Sequence, residues 1–172
     1  MPRPKIDLPK SAPDIWLNLS AATALAILTG VTASGYAEIP NAIPFRFSMD
    51  GWPEPYLDRL PTFTLPFIGL LVYILVQLLT LRVHRFPYPV RITHFNAAAE
   101  YRSAIRLMQF LLTMLLLGLA YVQYQTVHVG LGEYTSPGFW AVAIYLLVLA
   151  GGTTFYLRQL YAPVDKVPAL QL

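Results

Sequence analysis

Asp50, Glu54 and Asp58 recur at every fourth residue. On a helix that spacing would stack three carboxylates on one face and could hold a divalent cation. Pro53 and Pro55 lie between them, and proline removes a backbone donor and clashes with the preceding turn, so a helix is excluded there. The carboxylates are expected to keep a loop soluble, and no metal site is assigned. The three histidines, His84, His94 and His128, include no pair three or four residues apart, the spacing used for helical metal or haem ligation. There is no cysteine, which excludes disulfides, thiolate metal centres and cysteine nucleophiles. No Gly-rich phosphate loop, serine elbow or zinc signature occurs. The chain is therefore expected to have no catalytic residues and no cofactor.

The elements that would carry any site are set by where charge is missing. Of 172 residues, 56% are hydrophobic and 12% charged, against about a quarter charged in soluble domains. Mean hydropathy is +0.51. No Asp, Glu, Lys, Arg or His occurs in residues 16–35, 62–81, 107–127 or 138–157, windows of 20 or 21 residues. At 1.5 Å per residue each spans about 30 Å, the thickness of a bilayer's hydrocarbon core. Helices of a soluble bundle keep a solvent-facing stripe that carries charged residues; these windows hold no charge at all. The expected fold is an all-α integral membrane protein with four transmembrane helices. Residues 1–14 form an extended arm, 15–160 the membrane domain and 161–172 a tail. Val31, Thr32 and Ala33 resemble a cleavage site, but the first apolar stretch is long for a cleavable signal and is expected to stay as a span.

Charge sets the expected orientation. Arg3, Lys5 and Lys10 precede the first window, Arg82, Arg85, Arg91, Arg102 and Arg106 lie between the second and third, and Arg158 and Lys166 follow the fourth. The other side keeps only Arg46 and Arg59. Cytoplasmic flanks collect Lys and Arg, so both termini are expected in the cytoplasm. The net charge of +3 is thereby explained without nucleic acid. The expected partners are the bilayer and other membrane subunits or a second copy.

Within this frame several residues are assigned roles. Asp14 can cap the first helix and Asn96 a helix opening at Ala97, which is expected to run on into the third span, with Glu100 suited to its positive N-terminus. Ala22, Ala26, Gly30 and Ser34 form a small-residue stripe where a backbone can approach closely. Packing inside the same bundle is expected, with a dimer or subunit seam as the alternative. In the second window Gly69, Tyr73 and Gln77 share one face. In the third, Gln109, Thr113, Tyr121 and Gln125 make a polar stripe that should find partners on neighbouring helices. A transport path is the alternative, though it would normally carry a charge at mid-depth. Arg102 and Arg106 are assigned to anionic lipid headgroups. Trp140 and Tyr156 are expected as interfacial anchors.

The loop 36–61 holds five prolines and the aromatics Phe45, Phe47, Trp52 and Tyr56, and an ordered cap on the outer face is expected. Its run from Ile43 to Tyr56 resembles a loop of a bacterial membrane family of unknown function that includes the SdpI-like toxin-immunity proteins. That loop reads Ile-Pro-x-His-Phe-Asn-x-x-Gly-x-Pro-Asp-x-Trp. Ile43, Pro44, Phe47, Gly51 and Pro53 match in register, whereas Arg46, Ser48, Glu54 and Tyr56 replace its His, Asn, Asp and Trp. The likeness covers roughly residues 20–80 and continues loosely to Arg102; the second half of the immunity proteins is missing. For a short member it implies a multi-pass protein of the bacterial inner membrane. The expected function is a non-catalytic accessory subunit or sensor acting through interactions. A small transporter or channel-like protein and a toxin-immunity protein are the alternatives.

Overall fold

A computed structural model describes residues 6, 8–38, 60–88, 92–93, 96–131 and 138–161. It contains four α-helices: α1 (Ala12–Glu38), α2 (Thr64–Thr80), α3 (Ala97–Gly130) and α4 (Phe139–Tyr161). Short 3₁₀ turns, Leu60–Phe63 and Val83–Arg85, flank α2. There is no strand among the described residues. Helices α1, α3 and α4 are each long and apolar enough to cross a membrane, while α2 is apolar but has 17 residues. Pro66 lies in the first turn of α2, where the amide that proline lacks would have no helical partner. Helix α3, with 34 residues, is about 50 Å long at 1.5 Å per residue and runs unbroken from its polar start into the apolar window.

Contacts between helices give their directions. Asp14 meets Arg106, Ser20 meets Thr113, and Gly35 lies against Val127, so α1 and α3 run parallel. Tyr36 stacks on Phe63 at 4.9 Å while Gln77 bonds Asn18, so α2 runs back along α1. Tyr145 bonds Met114 and Tyr156 stacks on Phe110, so α4 runs back along α3. Lys10, Arg82, Arg85, Arg102, Arg106 and Arg158 consequently gather at one end of the bundle.

Large apolar side chains point outward. Trp140, Leu147 and Leu81 are 73–75% exposed, and α4 has no buried residue. The interior is narrow and built of small and medium residues: Ala21, Ala24 and Leu28 of α1 against Leu112, Leu116 and Ala120 of α3. An apolar exterior around such a seam is compatible with a multi-pass membrane protein, in which packing rather than water expulsion joins helices. A second cluster, Val83, Ala97, Tyr101 and Ala104, collects Leu8, Phe86, Tyr88 and Leu160 at the basic end.

Two close approaches join α4 to α3. The Phe110 ring lies where a Cβ on Gly152 would be, so any larger residue there must displace the ring. The Tyr145 hydroxyl reaches the Met114 carbonyl at 2.9 Å across Gly118, where a Cβ would stand 2.8 Å from the hydroxyl oxygen. Tyr156, expected as an interfacial anchor, is half-buried and packs on Phe110 with ring centroids 5.4 Å apart. Trp140 remains exposed.

Candidate functional site

The start of α1 is more elaborate than a single cap. Ser11 precedes the helix, and Asp14 occupies its third position rather than the cap. The Asp14 carboxylate accepts the Ser11 amide at 2.9 Å and the Ser11 hydroxyl at 2.6 Å. This is half of a capping box, with the acid reaching back to an orphan amide in the first turn. Its other oxygen accepts Arg106 Nε at 2.6 Å, and a second Arg106 nitrogen donates to the Ser11 hydroxyl at 2.9 Å. Arg102 Nε lies 3.6 Å from Asp14, and Arg102 donates to the Pro9 carbonyl at 3.2 Å. Burial pushes the Asp14 carboxyl up, but hydrogen bonds from Ser11 and Arg106, with the charge of Arg106, outweigh it and hold the group below its ordinary value.

Two expectations are corrected here. Arg106, assigned with Arg102 to lipid headgroups, is spent on Asp14 and Ser11, because a carboxylate fixed on a neighbouring helix takes its donors; Arg102 only leans on Asp14 and donates to the Pro9 carbonyl. The arm, expected to be extended over residues 1–14, lies against α3 at Leu8 and Pro9, and its last residues, 12–14, belong to α1. Asn96 precedes α3 as expected, but its side chain accepts the Thr93 amide at 2.7 Å. Glu100 is buried at 4% exposure, its Oε2 has no hydrogen-bond partner among the described residues, and burial pushes its carboxyl up.

One turn further along, α1, α2 and α3 bring three amides together. Gln77 Nε2 donates to Asn18 Oδ1 at 2.9 Å, and Gln109 Nε2 donates to Gln77 Oε1 at 3.2 Å. Gln109 is 4% exposed, and its own Oε1 has no partner among the described residues. Next to it, the Ser20 and Thr113 hydroxyls meet at 3.1 Å, although each also reaches a backbone carbonyl, of Leu17 and Gln109. Each hydroxyl has one proton, so the pair holds only when one of them releases its carbonyl.

This chain of amides borders a cavity of about 910 Å³. Asn18, Gln77, His84 and Gln109 form its polar side, Lys10, Asp14 and Arg102 its charged side, and Ile15, Ile74, Leu78 and Leu81 are among its apolar lining. Beyond it Ala24, Leu28, Leu112 and Leu116 close the seam. Among the described residues no three His, Asp or Glu converge as a metal would require.

The remaining assignments separate. Gln109 and Thr113 are buried in the bundle, while Gln125 is half-buried and donates to the Tyr121 hydroxyl at 3.4 Å. Ala26, Gly30 and Ser34 are exposed, Ala22 half-buried, and a Cβ on Gly30 would meet nothing within 4 Å. The stripe is therefore not the bundle's seam, which corrects the packing expected of it. The buried face of α1 is Ala21, Ala24, Leu28, Thr32 and Gly35, steps of three and four that average 3.5 residues. That is the period that keeps one helix against another, whereas steps of four slide about 40° around the helix each time. The same period links Gln109, Leu116 and Gln123, and Gln123, which the stripe passes over, is 1% exposed and donates to the Thr62 carbonyl at 3.2 Å. Ile43, Pro44, Arg46, Phe47, Ser48, Gly51, Pro53, Glu54 and Tyr56, with the expected external cap, lie outside the described residues, as do Asp50 and Asp58.

Comparison with family models, curated proteins and solved structures found no match.

Proposed function

We propose that this chain is a non-catalytic, multi-pass protein of the bacterial cytoplasmic membrane that works by binding other membrane helices, as an accessory subunit or a sensor. Both termini would lie in the cytoplasm, a reading supported by the gathering of basic side chains at one end and by the alternating directions of consecutive helices. The observation that carries the proposal is the outward stripe on α1. The helix already spends one face on α3, yet Ala26, Gly30 and Ser34 leave a second, smooth face open. Small residues four apart let a second backbone approach closely.

The chain has no cysteine, so single introduced thiols report contacts cleanly. Ala26→Cys and Gly30→Cys should cross-link to a second protein or copy in native membranes, while Leu147→Cys on α4 should not. Equal cross-linking at all three positions would mean random collision and would end the proposal.

A second reading, a small transporter or channel-like protein, is favoured by the amides beside the cavity. Gln77→Leu and Gln109→Leu should then abolish flux in proteoliposomes while leaving the fold intact; absence of flux for every candidate solute would remove it.

A further inference from the structure

The cavity at the basic end has the chemistry of a lipid site rather than of a water-filled vestibule. We infer that it holds one anionic phospholipid, its phosphate between Lys10 and Arg102 and its acyl chains leaving along Ile15, Ile74 and Leu78. The site is independent of the α1 stripe on which the proposed function rests.

Charge selects the headgroup. Asp14 borders the cavity, but both its oxygens are occupied by Arg106 and Ser11, so its negative charge is already answered. Lys10 is exposed, and Arg102, 32% exposed in its side chain, makes one hydrogen bond, to Pro9; its Nε is buried beside Asp14, so it is the terminal nitrogens that can meet a ligand. The local balance is therefore positive, and a guanidinium fork with free donors matches phosphate oxygens. The amide chain of Asn18, Gln77 and Gln109 supplies neutral groups for the glycerol and ester region.

Shape selects an amphiphile over a free anion. A cavity of 910 Å³ is at the upper end of the range for small-molecule pockets, about 300–1,000 Å³, and far exceeds one phosphate. Its apolar lining is exposed outward: Ile15 is 52%, Ile74 45% and Leu78 55% exposed, all on the faces of α1 and α2 that a membrane would wet. A bound headgroup would thus sit at the depth where both helices leave the apolar layer. The cations at this end divide the labour: Arg106 closes the protein on itself, and Arg102 and Lys10 remain for the ligand.

The test is native mass spectrometry of the full chain in a non-ionic detergent, titrated with phosphatidylglycerol, with phosphatidylcholine of the same acyl chains, and with inorganic phosphate as competitor. One phosphatidylglycerol per chain should survive activation that strips phosphatidylcholine, and phosphate should not displace it. Lys10→Gln and Arg102→Gln should each weaken retention roughly fivefold, and Arg102→Lys should recover part of it. Lys10→Gln, at an exposed position, keeps the test valid if Arg102→Gln disturbs the arm. Equal retention of the two lipids would mark ordinary boundary lipid and overturn the inference. Displacement by phosphate would mark a free-anion site and overturn the amphiphile, and unchanged retention in both variants would overturn the placement of the headgroup.

Discussion

Replacing Asp14 with asparagine probes the latch that closes the basic end of the bundle. Asp14 accepts Arg106 Nε at 2.6 Å, and the two side chains are 13% and 23% exposed. Asparagine keeps an acceptor for Ser11 but removes the charge, so the helix cap survives in part and the ion pair does not. A hydrogen bond involving charged groups is worth about 1.5–3 kcal/mol, and the remaining exposure of Arg106 places the loss near the lower end, about 2 kcal/mol. For a chain of this length that lowers the unfolding midpoint by about 4–8 °C. Heat-induced loss of the monodisperse species in detergent reads it, for Asp14→Asn, Arg106→Gln and the double variant. The double variant should lose clearly less than the two singles together, since either change already removes the shared bond. The acid profile supplies an independent sign. Asp14 is held below its ordinary value, so its contribution is complete above the unfolded carboxylate pKa, about 3.9, and disappears as pH falls through the lower folded value. Wild type should lose stability in that acid window while Asp14→Asn stays flat. Additive single losses, or identical acid profiles, would refute the latch.

Glu100 carries the opposite sign: burial raises its pKa, so its folded form is most favourable below the ordinary Glu value and loses stability as pH rises through the raised one. Glu100→Gln should therefore raise the midpoint at neutral pH and flatten that dependence; a lowered midpoint would mean that its charge is answered. Gly152→Leu should drive the Phe110 ring out of place and cost about 1–3 kcal/mol, with Phe110→Ala in the same chain restoring part of it in thermal unfolding. Gln77 has a bond on each side and Gln109 one bond with an orphan oxygen. Gln77→Leu strands two amides and should cost about 1–3 kcal/mol, while Gln109→Leu, which also removes the orphan, should cost less; the order of the two midpoints decides.

The helices were legible and their faces were not. Each uncharged window falls on a described helix, the second including the 3₁₀ turn before α2, because a stretch without charge is a property of composition and survives any rotation of the helix. Which face packs depends on a neighbour that no single window contains. On α1 the eye is drawn to small residues at steps of four, whereas the seam uses steps averaging 3.5 and admits Leu28 and Thr32 among alanines. On α3 the same period finds Gln123, which a search in steps of four misses. Asn18, Gln77 and Gln109 were each visible as polar residues in apolar windows, but their meeting needs three helices at one depth.

The arginines show most clearly why residue type underdetermines role. Arg102 and Arg106, four apart on α3, are alike in every local respect, and a count of flanking charge treats them as equals. What separates them is Asp14, 92 residues from Arg106 along the chain. The carboxylate sits in the first turn of α1, and because α1 and α3 run parallel it comes level with the start of the apolar part of α3. Asp14 Oδ1 is 2.6 Å from Arg106 Nε and Oδ2 3.6 Å from Arg102 Nε, so one guanidinium is spent and the other is only leaned upon. The latch cannot close until α3 stands beside α1. Once it closes, Arg106 belongs to the fold, while Arg102 keeps only a longer approach to Asp14 and a bond to the Pro9 carbonyl. A cation's place in the sequence can orient a membrane helix, but its function is decided by which carboxylate the folded neighbour presents.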